Sequence, residues 1–329
     1  MTSEPRTASA VHDDETRRER VARWVLVNGD RRAVASGIVV VVVTVVGTLV
    51  FAGVMAVGPE GFVARMFSSG LISGIITLLT VALSINQLVL SRVFGSINVL
   101  TDRLNGSRDL RRTVAEIAEV HSTPNDPAEF LSLLATTLSD RAAELVTAGD
   151  GTDWNPPTAL TSALRDIAAY GESIDAQLEA NARVNDVLGV ILGTEYAQNM
   201  TAVRHLRNEY AESLPEEALA DFQALEDLFD SLAVVRQFYK TIAIQRDLAT
   251  LSRLLVYSGM TALMGAIVLT LVYRTNSVTL PAAVLPAVVS VGIGVIIAPL
   301  ALFVAYILRA ATVARQTVSV GPFIPSEGN

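Results

Sequence analysis

The chain has 329 residues, 51% of them hydrophobic, and no cysteine, which excludes disulfides, thiolate metal sites and cysteine nucleophiles. Its formal net charge is −8, and of its 25 basic residues only Lys240 is a lysine. Residues 95–249 carry 25 acidic against 12 basic side chains, a net of −13 that argues against nucleic-acid binding.

An acidic, lysine-poor surface stays hydrated where salt screens repulsion over a Debye length of about 3 Å at 1 M. The pattern fits a salt-loving archaeon, or a genome rich in arginine codons. Up to Glu15 the chain is short, polar and without apolar periodicity, so it is expected to be disordered. Over residues 16–27, Val21, Trp24 and Val25 share one helical face while Arg17, Arg18 and Arg20 line much of the rest. That segment reads as an amphipathic helix in the headgroup region, or as a charged extension of the first span.

Four stretches lack Asp, Glu, Lys, Arg and His: 33–57, 66–91, 254–273 and 275–308. A bilayer core about 30 Å thick needs roughly 20 apolar residues to be crossed as a helix. The unbroken run Val39–Val43 does not alternate as a barrel strand would, so helices are expected. The first stretch is too long for the core of a cleavable signal peptide and reads as a retained anchor. The fold class is therefore all-α, with four transmembrane helices in two hairpins and an inserted helical cytoplasmic domain.

The second stretch carries the one pattern that suggests a site. Ser73, Thr77, Thr80, Ser84, Gln87 and Ser91 recur at spacings of three and four, which holds six polar side chains on one stripe of a helix. Asn86 flanks the stripe and Asn98 continues it, while Gly70 and Gly74 form a GxxxG. Two readings stay open. Such a stripe lines a polar path when several copies form a ring, or it is a packing seam, since small residues let helix backbones approach.

Between the hairpins every segment reads as helix. One spans residues 99–121, with a weak point at Asn105, Gly106 and Ser107; Asp126 and Pro127 then form an N-cap and first-turn pair for a helix over 127–148. Gly149, Gly151, Pro156 and Pro157 mark a linker. Leu160, Leu164, Ile167, Ile174 and Leu178 mark a further helix running towards Gly193. A last one starts near Pro215 with an acidic first turn. No Gly or Pro interrupts it before Gly259, so it is expected to continue as one rod into the third apolar stretch. In the fourth stretch Pro281 falls near a helix start, whereas Pro286 and Pro299 are expected to kink it. The tail from Gln316 is expected to be disordered.

Arginines cluster outside the two hairpins and are nearly absent from their loops, where only Arg65 and Arg274 occur. The positive-inside rule then places both termini and the middle segment in the cytoplasm, in a multi-pass protein of the cell membrane. The divisions are 1–32, a cytoplasmic N-terminal segment; 33–94, hairpin one; 95–252, the acidic helical domain; 253–309, hairpin two; and 310–329, the tail. His12, His121 and His205 are scattered without a second ligand nearby, and acidic clusters lack the spacing of a calcium loop. No phosphate loop or nucleophile elbow occurs. No cofactor, metal or catalytic residue is expected, and the chain is not read as an enzyme.

The run Leu308-Arg309-Ala310-Ala311-Thr312-Val313-Ala314-Arg315, followed by Gly321-Pro322-Phe323-Ile324-Pro325, resembles the ending of an uncharacterised class of haloarchaeal four-span membrane proteins. That resemblance implies a location and no activity. The order of two spans, a helical domain and two more spans is similar to bestrophin-type anion channels, in which the second span lines the pore of a pentamer. Their pore-neck run of alternating Pro and Phe has no counterpart between Met66 and Gly95. The resulting expectation is an oligomeric channel with span two lining its path, the partners being the lipid bilayer and further copies of the chain. The alternative is a membrane-anchored scaffold or sensor that docks a cytoplasmic protein.

Overall fold

The computed structural model describes residues 7–10, 16–57, 70–93, 97–148, 154, 156–178, 187, 190, 191, 193, 195–274, 277–281 and 283–316. Among the described residues the regular structure is helical apart from one pair of two-residue strands. The helices are α1 (Arg17–Arg23), a π-helical turn (Trp24–Asn28), α2 (Arg31–Phe51), α3 (Leu71–Val93), α4 (Ile97–Ile117), α5 (Pro127–Thr147), α6 (Thr158–Ala176), α7 (Glu195–Tyr210), α8 (Glu216–Val272) and α9 (Leu285–Gln316). Strands β1 (Tyr273–Arg274) and β2 (Ser277–Val278) pair antiparallel between α8 and α9.

The chain divides into two compact units. One comprises residues 24–95 and 244–312, and is built on α2, α3, the C-terminal part of α8 and α9. Among the described residues three helices, α2, α8 and α9, are long and apolar enough to cross a membrane, and the described apolar part of α3, Leu71–Ile85, is shorter. Side chains such as Val41 and Leu83, 61% and 62% exposed, turn outward from this unit. Apolar surface on that scale is compatible with lipid as its solvent.

Small residues set the helix spacing inside the unit, the usual packing device where lipid removes the hydrophobic drive between helices. Ala262, Ala266, Ile75, Val289 and Ile296 form one buried cluster; Ala82, Leu251, Leu255 and Tyr306 a second; Ala35, Ala301 and Ala305 a third. A Cβ on Gly259 of α8 would stand 2.7 Å from Leu79 of α3, so those helices approach closely there. Asp30 caps α2 by accepting from the Arg32 amide at 2.8 Å. The valines of α2 would weaken a helix in water, but in lipid the backbone has no other partner than itself.

The proline expectations need one correction. Pro286 falls at the second residue of α9, in the first turn, where its missing N–H breaks no ladder bond. Pro299 alone lies inside the helix, which continues past it. The expected weak point at Gly106 is also absent, because α4 runs unbroken through it.

The other unit comprises residues 1–23, 96–243 and 313–329. Leu131, Leu134 and Leu138 of α5, Leu164 and Ile167 of α6, Val203 of α7 and Phe222 and Phe229 of α8 are all wholly buried in this unit. Gly171 lets α6 press on the backbone of α5: a Cβ there would stand 2.5 Å from the Ala135 carbonyl oxygen. Asp126 accepts from the Ala128 and Glu129 amides at 2.9 and 3.1 Å, with Pro127 at the first helical position. The turn before it is held by Arg111, which donates to Thr123 Oγ1 and O, to Asn125 Oδ1 and to the Pro124 carbonyl. The described part of the helix expected to reach Gly193 ends at Ala176. Most of the linker at 149–157 and the tail at 317–329 lie outside the described residues.

Near the N-terminus the structure departs from the expectation of disorder. Thr7–Ala10 is half-buried against the helical unit, with Thr7 and Ala8 hydrogen-bonded to it. The apolar-and-arginine segment that follows divides into α1 and the π-helical turn, with Val21 and Trp24 exposed.

Candidate functional site

Ser73, Thr77, Thr80, Ser84, Gln87 and Ser91 all lie on the exposed side of α3. The opposite side is the packed one: Ile75 and Ala82 are buried, and Leu78, Leu79 and Ile85 pack against the neighbouring helices. The stripe is thus not a seam between α3 and the rest of its own unit. Thr77, Thr80 and Ser84 donate to the carbonyls of Ser73, Ile76 and Thr80 at 3.0 Å, and Ser91 donates to Leu88 at 2.8 Å. These four hydroxyls are satisfied by their own helix and still present lone pairs outward. Gln87 is exposed and carries both a donor and an acceptor. Gly70 and Gly74 face open space, with no atom within 4 Å of where a Cβ would stand. Polar, shallow and facing outward, this wall suits either another helix at close range or water.

The sequence reading missed a second feature of the same unit. Arg31 is buried and spends its guanidinium on backbone: Nε and Nη2 donate to the Gly29 carbonyl at 2.9 and 2.6 Å, and Nη1 to the Val25 carbonyl at 2.7 Å. Arg309, 4% exposed, sets Nε 3.2 Å from Asp247 Oδ2, while its Nη2 has no hydrogen-bond partner among the described residues. Arg31 lies within the electrostatic reach of both. In sequence, Arg31 and Arg309 look like ordinary flanking charges. The only hint is Asp247, an acid set seven residues before a charge-free run.

An open groove of about 690 Å³ between α2 and α9 is lined by apolar and small residues, among them Val43, Gly47, Phe51 and Val291. It offers little polar chemistry.

In the other unit several charged groups pair, although Glu226 Oε1 is buried with no hydrogen-bond partner among the described residues. Arg141 reaches Glu119 at 2.8 Å and Glu144 at 3.0 Å, Arg204 reaches Asp230 at 3.0 Å, and Arg207 pairs with Glu226. Burial pushes the Glu226 carboxyl up from its ordinary value against the pull of Arg207, and raises Asp221 against Arg141. Arg236 stacks 4.3 Å from the Tyr196 ring centroid and donates to the Gly193 carbonyl at 3.1 Å. Tyr196 donates to Met200 Sδ at 2.8 Å, and burial pushes its hydroxyl up to about 12, so it stays neutral. One turn along α7 the wholly buried Asn199 holds the backbone of Ala8. Among the described residues no three His, Asp or Glu side chains converge as a metal set.

The full length, residues 1–329, matches the family of unknown function DUF7972, and the chain belongs to that family. No curated protein and no solved structure matches it.

Proposed function

We propose that this member of DUF7972 is an oligomeric four-span membrane protein whose copies bring α3 together around a shared polar path, and that it acts as a channel rather than an enzyme. In this reading the first, second, third and fourth charge-free stretches all cross the cell membrane, and the termini and the acidic helical unit face the cytoplasm. One observation carries it: Ser73, Thr77, Thr80, Ser84, Gln87 and Ser91 point away from the chain's own packed helices. Hydroxyls can donate to their own helix, but lipid offers the exposed Gln87 carboxamide no partner, so a stripe that includes it at membrane depth calls for protein or water. Gly70, just before α3, and Gly74 in its first turn give a neighbouring backbone room to approach.

The second reading, a membrane-anchored scaffold or sensor, draws on α8. Its 57 residues contribute to both compact units without interruption. In that case a cytoplasmic partner binds the acidic helices and no flux occurs.

The deciding measurement is the oligomeric state of the purified protein in mild detergent at high salt. Four or more copies are expected. A monomer or dimer that persists across detergents leaves too few α3 helices to enclose a path, and sinks the channel reading.

A further inference from the structure

The described N-terminal segment is held by side chains rather than by an apolar anchor. Asn199 Oδ1 accepts from the Ala8 amide at 2.8 Å and Asn199 Nδ2 donates to the Ala8 carbonyl at 3.0 Å. One carboxamide thus reads both backbone groups of one residue, as a neighbouring strand would. Thr7 Oγ1 donates to Asp166 Oδ2 on α6, so the residue before Ala8 is selected for a hydroxyl. Asn199 is wholly buried, flanked along α7 by Ala202 and Val203, also wholly buried.

We propose that Asn199 and Asp166 form a peptide-binding site, specific for an extended segment with a hydroxyl residue followed by a small one, and that Thr7–Ala8 fills it as a detachable latch. Hydrogen bonds, three of them from Thr7 and Ala8, hold the segment against the entropy of ordering it; burial of Thr7–Ala10 is only partial. Detachment uncovers the Asn199 carboxamide and frees one donor and one acceptor, which then turn to water or to another group. The backbone of a second extended peptide supplies both at once, and Asp166 restricts the choice to Ser or Thr at the preceding position. Tethering gives the cis segment a local concentration in the millimolar range, so a peptide in solution enters only when the latch is out.

The test is a fluorescence-anisotropy titration of a labelled peptide with the sequence of residues 4–12 into the full-length protein in mild detergent. Ala8→Pro removes the amide that Asn199 reads and frees the site without touching a helix. Binding to the Ala8→Pro protein is expected to be about tenfold tighter, or more, than to the wild type. Asn199→Leu in that background is expected to abolish binding, and Asp166→Ala, at a half-exposed position, to weaken it roughly fivefold. A peptide that itself carries Ala8→Pro is expected not to bind. Equal affinity for the wild type and Ala8→Pro proteins, no binding to the latter, or binding indifferent to Asp166→Ala overturns the proposal.

Discussion

The Ser252 hydroxyl of α8 donates to the Ala82 carbonyl of α3 at 3.1 Å, joining two helices through a buried side chain and a backbone oxygen. Two turns further along α8, Gly259 meets Leu79 of the same partner. Both contacts put α3 in one rotational setting, with Ala82 inward and the polar stripe outward. Ser252→Ala is expected to cost about 0.5–1 kcal/mol, since the carbonyl keeps its helical bond. Gly259→Val adds bulk against Leu79 and is expected to cost about 1–3 kcal/mol. Thermal unfolding in detergent checks both, and a Gly259→Val protein as stable as wild type would refute the close α3–α8 contact.

Under the proposed channel function, Gln87→Leu is expected to lower ion flux through proteoliposomes several-fold while oligomeric state and melting temperature are unchanged. Removing a polar group from a path raises the barrier to an ion that has shed part of its hydration. Flux equal to wild type would remove Gln87 from the path.

Arg111 is the corner post of the acidic helical unit. Its guanidinium gathers Thr123, Pro124 and Asn125 while standing 5.9 Å from the Phe130 ring centroid. An ammonium keeps the charge but loses the fixed fork and the planar stack. Arg111→Lys is therefore expected to destabilise by about 1–2 kcal/mol. Unfolding followed by circular dichroism measures it, and a change within a few tenths would show that the turn holds itself.

Burial raises the carboxyl of Glu226. A folded-state value above the unfolded one means that the folded protein binds the extra proton between the two. The contribution of Glu226 to stability therefore falls as pH rises through that window, just above the ordinary carboxylate range. Glu226→Gln keeps an acceptor for Arg207 and cannot titrate. Its stability difference from wild type is expected to shift in favour of wild type on going from pH 7 to pH 5, in melts at fixed salt; a difference constant with pH would contradict the raised value.

Some of this was legible because the physics is local. Asp126 followed by Pro127 announces a helix start in four residues, and it is one. The absence of Gly and Pro before Gly259 foretold that α8 would run unbroken. Periodicity put Ser73 through Ser91 on one stripe, but no local signal says which side of α3 its own chain covers. That depends on Gly259 and Ser252, more than 160 residues away in sequence. Separation along the chain also hid the pairing of Asp247 with Arg309, 62 residues on, and of Ala8 with Asn199, 191 residues on. Pro286 misled because its effect depends on where α9 begins, and a charge-free run carries no mark of that point.

Arg31 closes the corner that leads into α2, its fork spread over the carbonyls of Val25 and Gly29. At the other end α2 gives way, two residues beyond Phe51, to Gly53 in the left-handed region at φ +73°. There the Gly53 amide donates to the Val50 carbonyl at 3.1 Å and the Val54 amide to the Leu49 carbonyl at 3.0 Å, so hydrogen bonds close both ends of the helix. Where α2 crosses a bilayer, a helix closed at both ends meets a change in membrane thickness by tilting as one rod, not by unwinding at either rim.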